Sequence, residues 1–233
     1  MTPYAQVQLL SSATKDWSIT EILTYLTGQF PGQVSFSSSF GQEDQVLTDM
    51  LAQEEINVKI FTLDTGRLFQ ETYDVFDRTK RKYNLDIQTY YPEADELGKM
   101  VTERGPNNFY FSVEDRKECC RIRKIEPLKR ALSGTKVWVT GLRSSQSTNR
   151  QDLPKFEYDE HFKVIKYNPL LDWDLEEVQT YLDKHNVPQN SLHRKGFISI
   201  GCAPCTRAIE PDEDIRAGRW WWEDSHKECG LHK

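Results

Sequence analysis

No run of apolar residues in this sequence comes near the ~20 needed to cross a bilayer. The first residues, Met1-Thr2-Pro3-Tyr4-Ala5-Gln6, lack the charged and apolar regions of a secretion signal. Both absences lead to the expectation of a soluble, cytoplasmic protein with no membrane partner. Internal repeats and low-complexity linkers are missing as well. There is no excess of positive charge: the formal net charge is -6, which argues against a general nucleic-acid binder and leaves room for a local basic pocket for a small anion. At 233 residues the chain fits one domain, or a domain with an appendage, and can bury a substantial core.

Cysteine is scarce and odd in number, five in all. In a reducing compartment, paired cysteines more often hold metal or carry redox chemistry than form structural disulfides. Cys119-Cys120 and Cys202-Ala203-Pro204-Cys205 make two pairs. Cys229 is left over, on a polar terminal stretch with His226, Lys227, His232 and Lys233 around it. Four paired thiols suggest a bound metal centre, and the unpaired one suggests a separate reactive group. Four-cysteine sites serve zinc or iron–sulfur clusters. Adjacent cysteines have difficulty aiming both sulfurs at one small ion, whereas a cluster accepts them on different corners, which favours the cluster. The plainer alternative is four reduced cysteines packed as small hydrophobes. Disulfide exchange at Cys202/Cys205 is weaker, because no thioredoxin-like strand pattern precedes them.

Apolar spacing predicts a helix over 18–26, with Asp16 or Ser18 as its cap and Gly28 and Pro31-Gly32 ending it. Further helices are expected over 43–53, 68–83, 94–103 and 117–131, the last despite Pro127, and from Trp173 to about His185 with Asp172 as cap. Strands are expected over 33–36, 58–63, 85–90, 136–140 and 161–167. Residues 1–15 offer no interpretable feature. Strands alternating with helices predict an α/β fold, a doubly wound and mainly parallel sheet. Ligands of such sheets sit beyond the carboxyl ends of the strands, so the loops after Phe36, Leu63 and Thr140 share one rim. The expected organisation is a body over 1–206 and a C-terminal tail over 207–233.

Ser37-Ser38-Ser39-Phe40-Gly41-Gln42-Glu43-Asp44 joins a strand to a helix and can offer N–H groups, hydroxyls and a helix dipole to an anion. It lacks the Gly-Lys-Ser/Thr ending of a Walker loop. Leu63-Asp64-Thr65-Gly66-Arg67 ends the next strand and can present backbone groups to a base or ribose. Each alone reads equally as an ordinary turn; two on one rim say more. Lys124, Arg143, Arg150, Arg216 and Arg219 are candidate contacts for phosphate or sulfate oxygens, and Lys124 lies one helical turn after Cys120. Trp220-Trp221-Trp222 anchors the tail to the body, and its docking would close the site.

Taken in order, the serine loop, Leu63-to-Arg67, Cys119-Cys120, Gly141-Leu142-Arg143-Ser144-Ser145-Gln146-Ser147, Ile200-to-Thr206 and Lys227-Glu228-Cys229-Gly230-Leu231-His232 resemble the assimilatory adenylyl-sulfate reductases, relatives of the phosphoadenylyl-sulfate reductases. The resemblance implies an adenine nucleotide alpha hydrolase-like fold and one 4Fe-4S cluster on Cys119, Cys120, Cys202 and Cys205. It implies reduction of adenylyl sulfate to sulfite and AMP with electrons from thioredoxin, through an S-sulfocysteine on Cys229. It also implies substrate contacts at Ser37, Ser38, Ser39, Glu43, Leu63, Thr65, Lys124, Gly141, Arg150, Arg216 and Arg219. With no thioredoxin-like domain in the chain, the reductant is expected to be a separate protein. Self-association is common in the family. His193, His226 and His232 receive no catalytic role.

Three rivals remain. A phosphoadenylyl-sulfate reductase would need a further cation for the 3′-phosphate, and the four cluster cysteines accompany the adenylyl-sulfate preference in the family. An ATP-pyrophosphatase-type enzyme shares the fold, but its glycine-rich loop is replaced here by Ser37-Ser38-Ser39-Phe40. A zinc- or cluster-binding interaction module would leave Cys229 and the two rim loops without a role.

Overall fold

The computed structural model describes residues 1–146, 150 and 152–223; Cys229, His226, His232 and Ser147 lie outside the described residues. Strands β1 (Val34–Ser37), β2 (Lys59–Leu63), β3 (Ile87–Tyr90), β4 (Val137–Val139), β5 (Phe156–Asp159) and β6 (Val164–Tyr167) form one sheet in the order β3-β2-β1-β4-β6-β5. All neighbouring pairs are parallel except β5 with β6. The order reverses direction at β1, between β2 and β4, the place where open α/β sheets leave a crevice.

Period-two alternation sends side chains to opposite faces of this sheet. Phe36, Ile60, Ile87, Val137, Val139, Ile165 and Tyr167 join the larger core. There they meet Ile22, Leu23 and Leu26 of helix α2 (Ile19–Gln29), Val46, Leu47 and Leu51 of α3 (Gln42–Gln53), Val75 of α4 (Gln70–Tyr83), and Val178 and Leu182 of α8 (Leu175–Lys184). Phe61, Trp138 and Val164 pack in a second core with Leu128 and Ala131 of α7 (Glu126–Ala131). Each fully buried aliphatic side chain contributes about 1.5–3 kcal/mol.

Ser18 caps α2 through a capping box with Glu21, and Gly28 lies inside the helix rather than ending it. The cap of α8 is Asp174, not Asp172: its carboxylate accepts from the Glu177 N–H, and Glu177 reaches back. Two elements escaped the sequence reading. Helix α1 (Pro3–Ala13) starts with Thr2 as cap and Pro3 at its first position, a start signal in its own right. Strand β5 pairs with β6 as a hairpin whose turn includes Lys163 at φ 56°.

The helix expected over 117–131 is three pieces. After α5 (Ala94–Arg104), α6 (Val113–Cys120) runs into a π-helical turn over Arg121–Ile125 and then into α7. Pro127 has no N–H to give, and its ring crowds the carbonyl four residues back. The widened turn, in which the Glu126 N–H bonds the Arg121 carbonyl, accommodates it. The insertion also turns Arg123 and Lys124 toward the ends of the strands.

Candidate active site

The three rim loops close around one cleft of about 270 Å³, also lined by Lys124, Arg150, His193, Arg216 and Arg219. All the substrate contacts named above line it, from Ser37, Ser38, Ser39, Glu43, Leu63 and Thr65 to Gly141.

The serine loop is held from within. Ser37 Oγ accepts from the Trp138 indole at 2.8 Å, Ser38 Oγ accepts from the Phe40 N–H at 3.2 Å, and Ser39 gives both its N–H and its hydroxyl to Asp44, at 2.6 and 2.7 Å. Phe40 takes a left-handed backbone, φ 60°, and stacks on Phe76 with centroids 4.6 Å apart. These contacts fix the turn that delivers the N-terminus of α3 to the cleft, where no side chain caps it, so its dipole favours an anion there. Gly141 is a spatial necessity: a Cβ there would sit 2.2 Å from Asp44 Oδ1. Burial pushes the Asp44 carboxyl up to about 6, against the two Ser39 hydrogen bonds. Sequence reading missed Asp44 as a structural partner of the loop, although it closes the motif.

On the opposite wall Arg143 pairs with Glu43 at 2.8 Å and reaches Ser145 at 2.6 Å, both largely out of solvent. Arg150 donates to Gln146. The Arg219 guanidinium lies against Gly201, where a Cβ would come within 2.4 Å of Nη2, and donates to Ser199 Oγ at 3.4 Å.

Beside the cleft lies a small cavity lined by Cys119, Cys120, Cys202 and Cys205 together with Arg67, Arg116, Arg123, Lys124 and Trp220. The four thiols are buried; burial raises Cys119 and pushes Cys205 up to about 12 as thiols. Among the described residues no three His, Cys, Asp or Glu side chains meet as a site for a single metal ion. Thr65 Oγ1 lies 3.2 Å from Cys202 Sγ, and Cys202 and Lys124 line both spaces. Arg123 donates to the Thr65 carbonyl, tying the second rim loop to the same wall.

The C-terminal segment is seated here as far as it is described. Thr206 bridges to Arg219, and the Trp220 N–H bonds the Cys205 carbonyl at 3.2 Å. Trp220 is 1% exposed, between the guanidiniums of Arg116 and Arg219 at 4.6 and 4.7 Å from its ring. Arg116 in turn makes a buried two-point bond to Glu223, at 3.0 and 2.9 Å. Trp222 packs on Tyr110 and Phe109, while Trp221 is 40% exposed. Two of the three indoles thus anchor the segment and the third does not.

Residues 33–208 match the family model of the phosphoadenosine phosphosulfate reductase domain. The chain belongs to that family. It is 48% identical over 221 residues to an adenosine 5'-phosphosulfate reductase of Allochromatium vinosum, covering 94% of this chain and 86% of that one. To a protein of the same name from Neisseria meningitidis it is 52% identical over 200 residues, covering 85% and 82%. Its fold superposes on phosphoadenylyl-sulfate reductase from Candida auris, in a phosphate complex, with a TM-score of 0.76 and 26% identity over 90% of this chain and 98% of that one. The family assignment and the α/β architecture agree with the resemblance read from the sequence. Among the described residues no helix is long and apolar enough to cross a membrane.

Proposed function

We propose that this chain reduces adenylyl sulfate to sulfite and AMP, in the cytoplasm, as a step of sulfate assimilation. The observation that carries the reading is one cleft, at the reversal of strand order, that gathers hydroxyls, a helix N-terminus and five cations, Lys124, Arg143, Arg150, Arg216 and Arg219, beside a four-thiol cavity. Such a cleft suits a nucleotide whose 5′ end is a phosphosulfate anion.

The four thiols suit a 4Fe-4S cluster. The donor set is all sulfur, it borders one cavity without meeting at a single-ion point, and four cations in the wall offset the charge that four thiolates would bring. When bound, the cluster supplies structural and electrostatic support beside Lys124. Thr65 and Cys202 link that wall to the rim.

Cys229 is the proposed nucleophile. Its thiolate attacks the sulfur of the sulfate group, an S–S bond forms, the S–O bond to the phosphate breaks, and AMP leaves with the electron pair. Lys124, Arg216 and Arg219 stabilise the charge that grows on the leaving phosphate. A thioredoxin thiolate then attacks Cys229 Sγ, and sulfite departs with the bonding pair. The second thioredoxin thiol releases Cys229 by disulfide formation, so the two electrons come from thioredoxin.

Thioredoxin-dependent sulfite release from adenylyl sulfate tests the proposal. Cys229→Ser is expected to abolish turnover while AMP binding persists; full activity in the variant overturns the mechanism. Parallel kinetics with phosphoadenylyl sulfate set the nucleotide preference, and a clear advantage for the phosphorylated substrate overturns the choice made here. Iron and sulfide analysis of anaerobically purified protein tests the cluster, and zinc without iron refutes it.

A further inference from the structure

His193 lines the cleft on the short 3-10 turn Ser191–Lys195, and neither the family motifs nor the mechanism above uses it. The turn is built to hold it. Asn190 accepts from the Leu192 N–H at 3.0 Å and donates to Thr72 at 3.2 Å, and Gly196 closes the turn at φ 82°. The ring Nδ1 is 2.9 Å from the Phe197 carbonyl oxygen. A carbonyl oxygen only accepts, so Nδ1 carries the proton. The other nitrogen, Nε2, is shut off from solvent and has no hydrogen-bond partner among the described residues. Burial holds the ring below the ordinary imidazole range, with the Glu43 charge opposing, so Nε2 is a bare lone pair. A buried acceptor left without a donor costs about 1–3 kcal/mol, and the residue that carries this one lines the cleft.

We infer that His193 Nε2 accepts a hydrogen bond from the nucleoside half of the substrate and is a binding residue that reads that half. A phosphosulfate at neutral pH offers only acceptors. The donors of adenylyl sulfate are the adenine amino group and the ribose 2′- and 3′-hydroxyls, and one of these meets Nε2. The assignment rests on the nucleotide reading above.

The test is calorimetric titration of wild type, His193→Asn and His193→Gln with AMP, 2′-deoxy-AMP, 3′-deoxy-AMP and IMP. The asparagine amide can still donate to the Phe197 carbonyl but ends short of the Nε2 position, whereas glutamine can place an oxygen near it. For wild type, one analogue is expected to bind about 10-fold more weakly than AMP. H193N is expected to bind AMP about 10-fold more weakly and to lose the difference between AMP and that analogue; H193Q restores part of both. Wild type binding all three analogues as it binds AMP overturns the assignment without any variant. So does H193N binding AMP like wild type, or losing the same factor on all four nucleotides. Failure of wild type to bind AMP at all would instead remove the nucleotide reading itself.

Discussion

The cleft and the thiol cavity share a wall, yet they are built in opposite ways. The cleft is made by short stretches that each carry their own geometry: a strand end, a turn, a helix start. Ser39 and Asp44, five positions apart, bond each other, and Gly141 leaves the room that Asp44 needs. The cavity is made by residues that are remote in sequence. Its four thiols come from two segments some eighty positions apart, and the Arg116–Glu223 bond beside it spans 107. One region presents hydroxyls, cations and a helix start to an exchanging ligand; the other is lined by buried thiols and cations and packs against the C-terminal segment. The difference suggests that damage to the cavity should act first on stability, and damage to the cleft first on binding.

The largest effect expected on that view comes from Arg116→Met. Both partners are nearly solvent-free, 1% exposed for Arg116 and 8% for Glu223, so the substitution takes a two-point bond from a buried carboxylate and removes a cation from the Trp220 ring. Urea unfolding should report a loss of about 3–5 kcal/mol. The double variant Arg116→Met, Glu223→Leu should recover part of it, because the carboxylate goes together with its guanidinium. If the regions are separable, the folded fraction of R116M binds AMP within about twofold of wild type. A much larger loss would mean that Arg219, which also lies over the Trp220 ring, passes the disturbance into the cleft.

This contrast also explains what the sequence could disclose. Motifs that are local, such as Ser37-to-Asp44 and Leu63-to-Arg67, were legible because strand-end loops encode their own shape; the whole of the first and Leu63 and Thr65 of the second line the cleft, while Arg67 lines the thiol cavity. Helix α1 was legible too, in Thr2-Pro3, but its apolar pattern is too faint to draw attention. Strand β5 is only four residues long and owes its place to pairing with β6, where its Glu157 meets Lys166, 1% exposed, at 2.6 Å. His193 could not be read at all: the tautomer that makes it an acceptor depends on the Phe197 carbonyl, and its position on the cleft depends on the whole fold. Cys229 was singled out by its sequence context and lies outside the described residues.

A middle-sized effect should come from Asp44, and it sharpens the cleft's side of the comparison. Its folded-state pKa of about 6 is raised above the unfolded value of 3.8 by burial. The folded state therefore holds the proton more tightly. The stabilisation is complete below the unfolded value and is lost as pH rises through about 6, reaching a cost of up to about 3 kcal/mol near neutral pH. Asp44→Asn should flatten the pH dependence of the urea midpoint between about 4 and 6. It should also raise stability near pH 7, provided the amide oxygen still accepts from Ser39. An unchanged pH profile would mean that the loop's hydrogen bonds, not burial, set the charge of Asp44.

The smallest effect is expected at Trp221. The run Trp220-Trp221-Trp222 looks uniform, but the three rings face different surroundings. Trp220 is buried with two guanidiniums over its ring, Trp222 rests on Tyr110 at 4.4 Å, and Trp221 is 40% exposed, with an edge contact to Trp222 at 4.8 Å. Trp220→Ala should cost about 3–5 kcal/mol, as full truncation of a buried aromatic does. Trp221→Ala should cost less than about 1 kcal/mol, the scale of one exposed aromatic pair. The measurement is again the urea midpoint, with AMP affinity alongside. Should Trp221→Ala leave stability and AMP binding intact but slow thioredoxin-dependent turnover, the exposed ring serves the reductant's approach rather than the anchoring of the segment. Equal losses for Trp220 and Trp221 would instead dissolve the distinction between a buried anchor and an exposed ring.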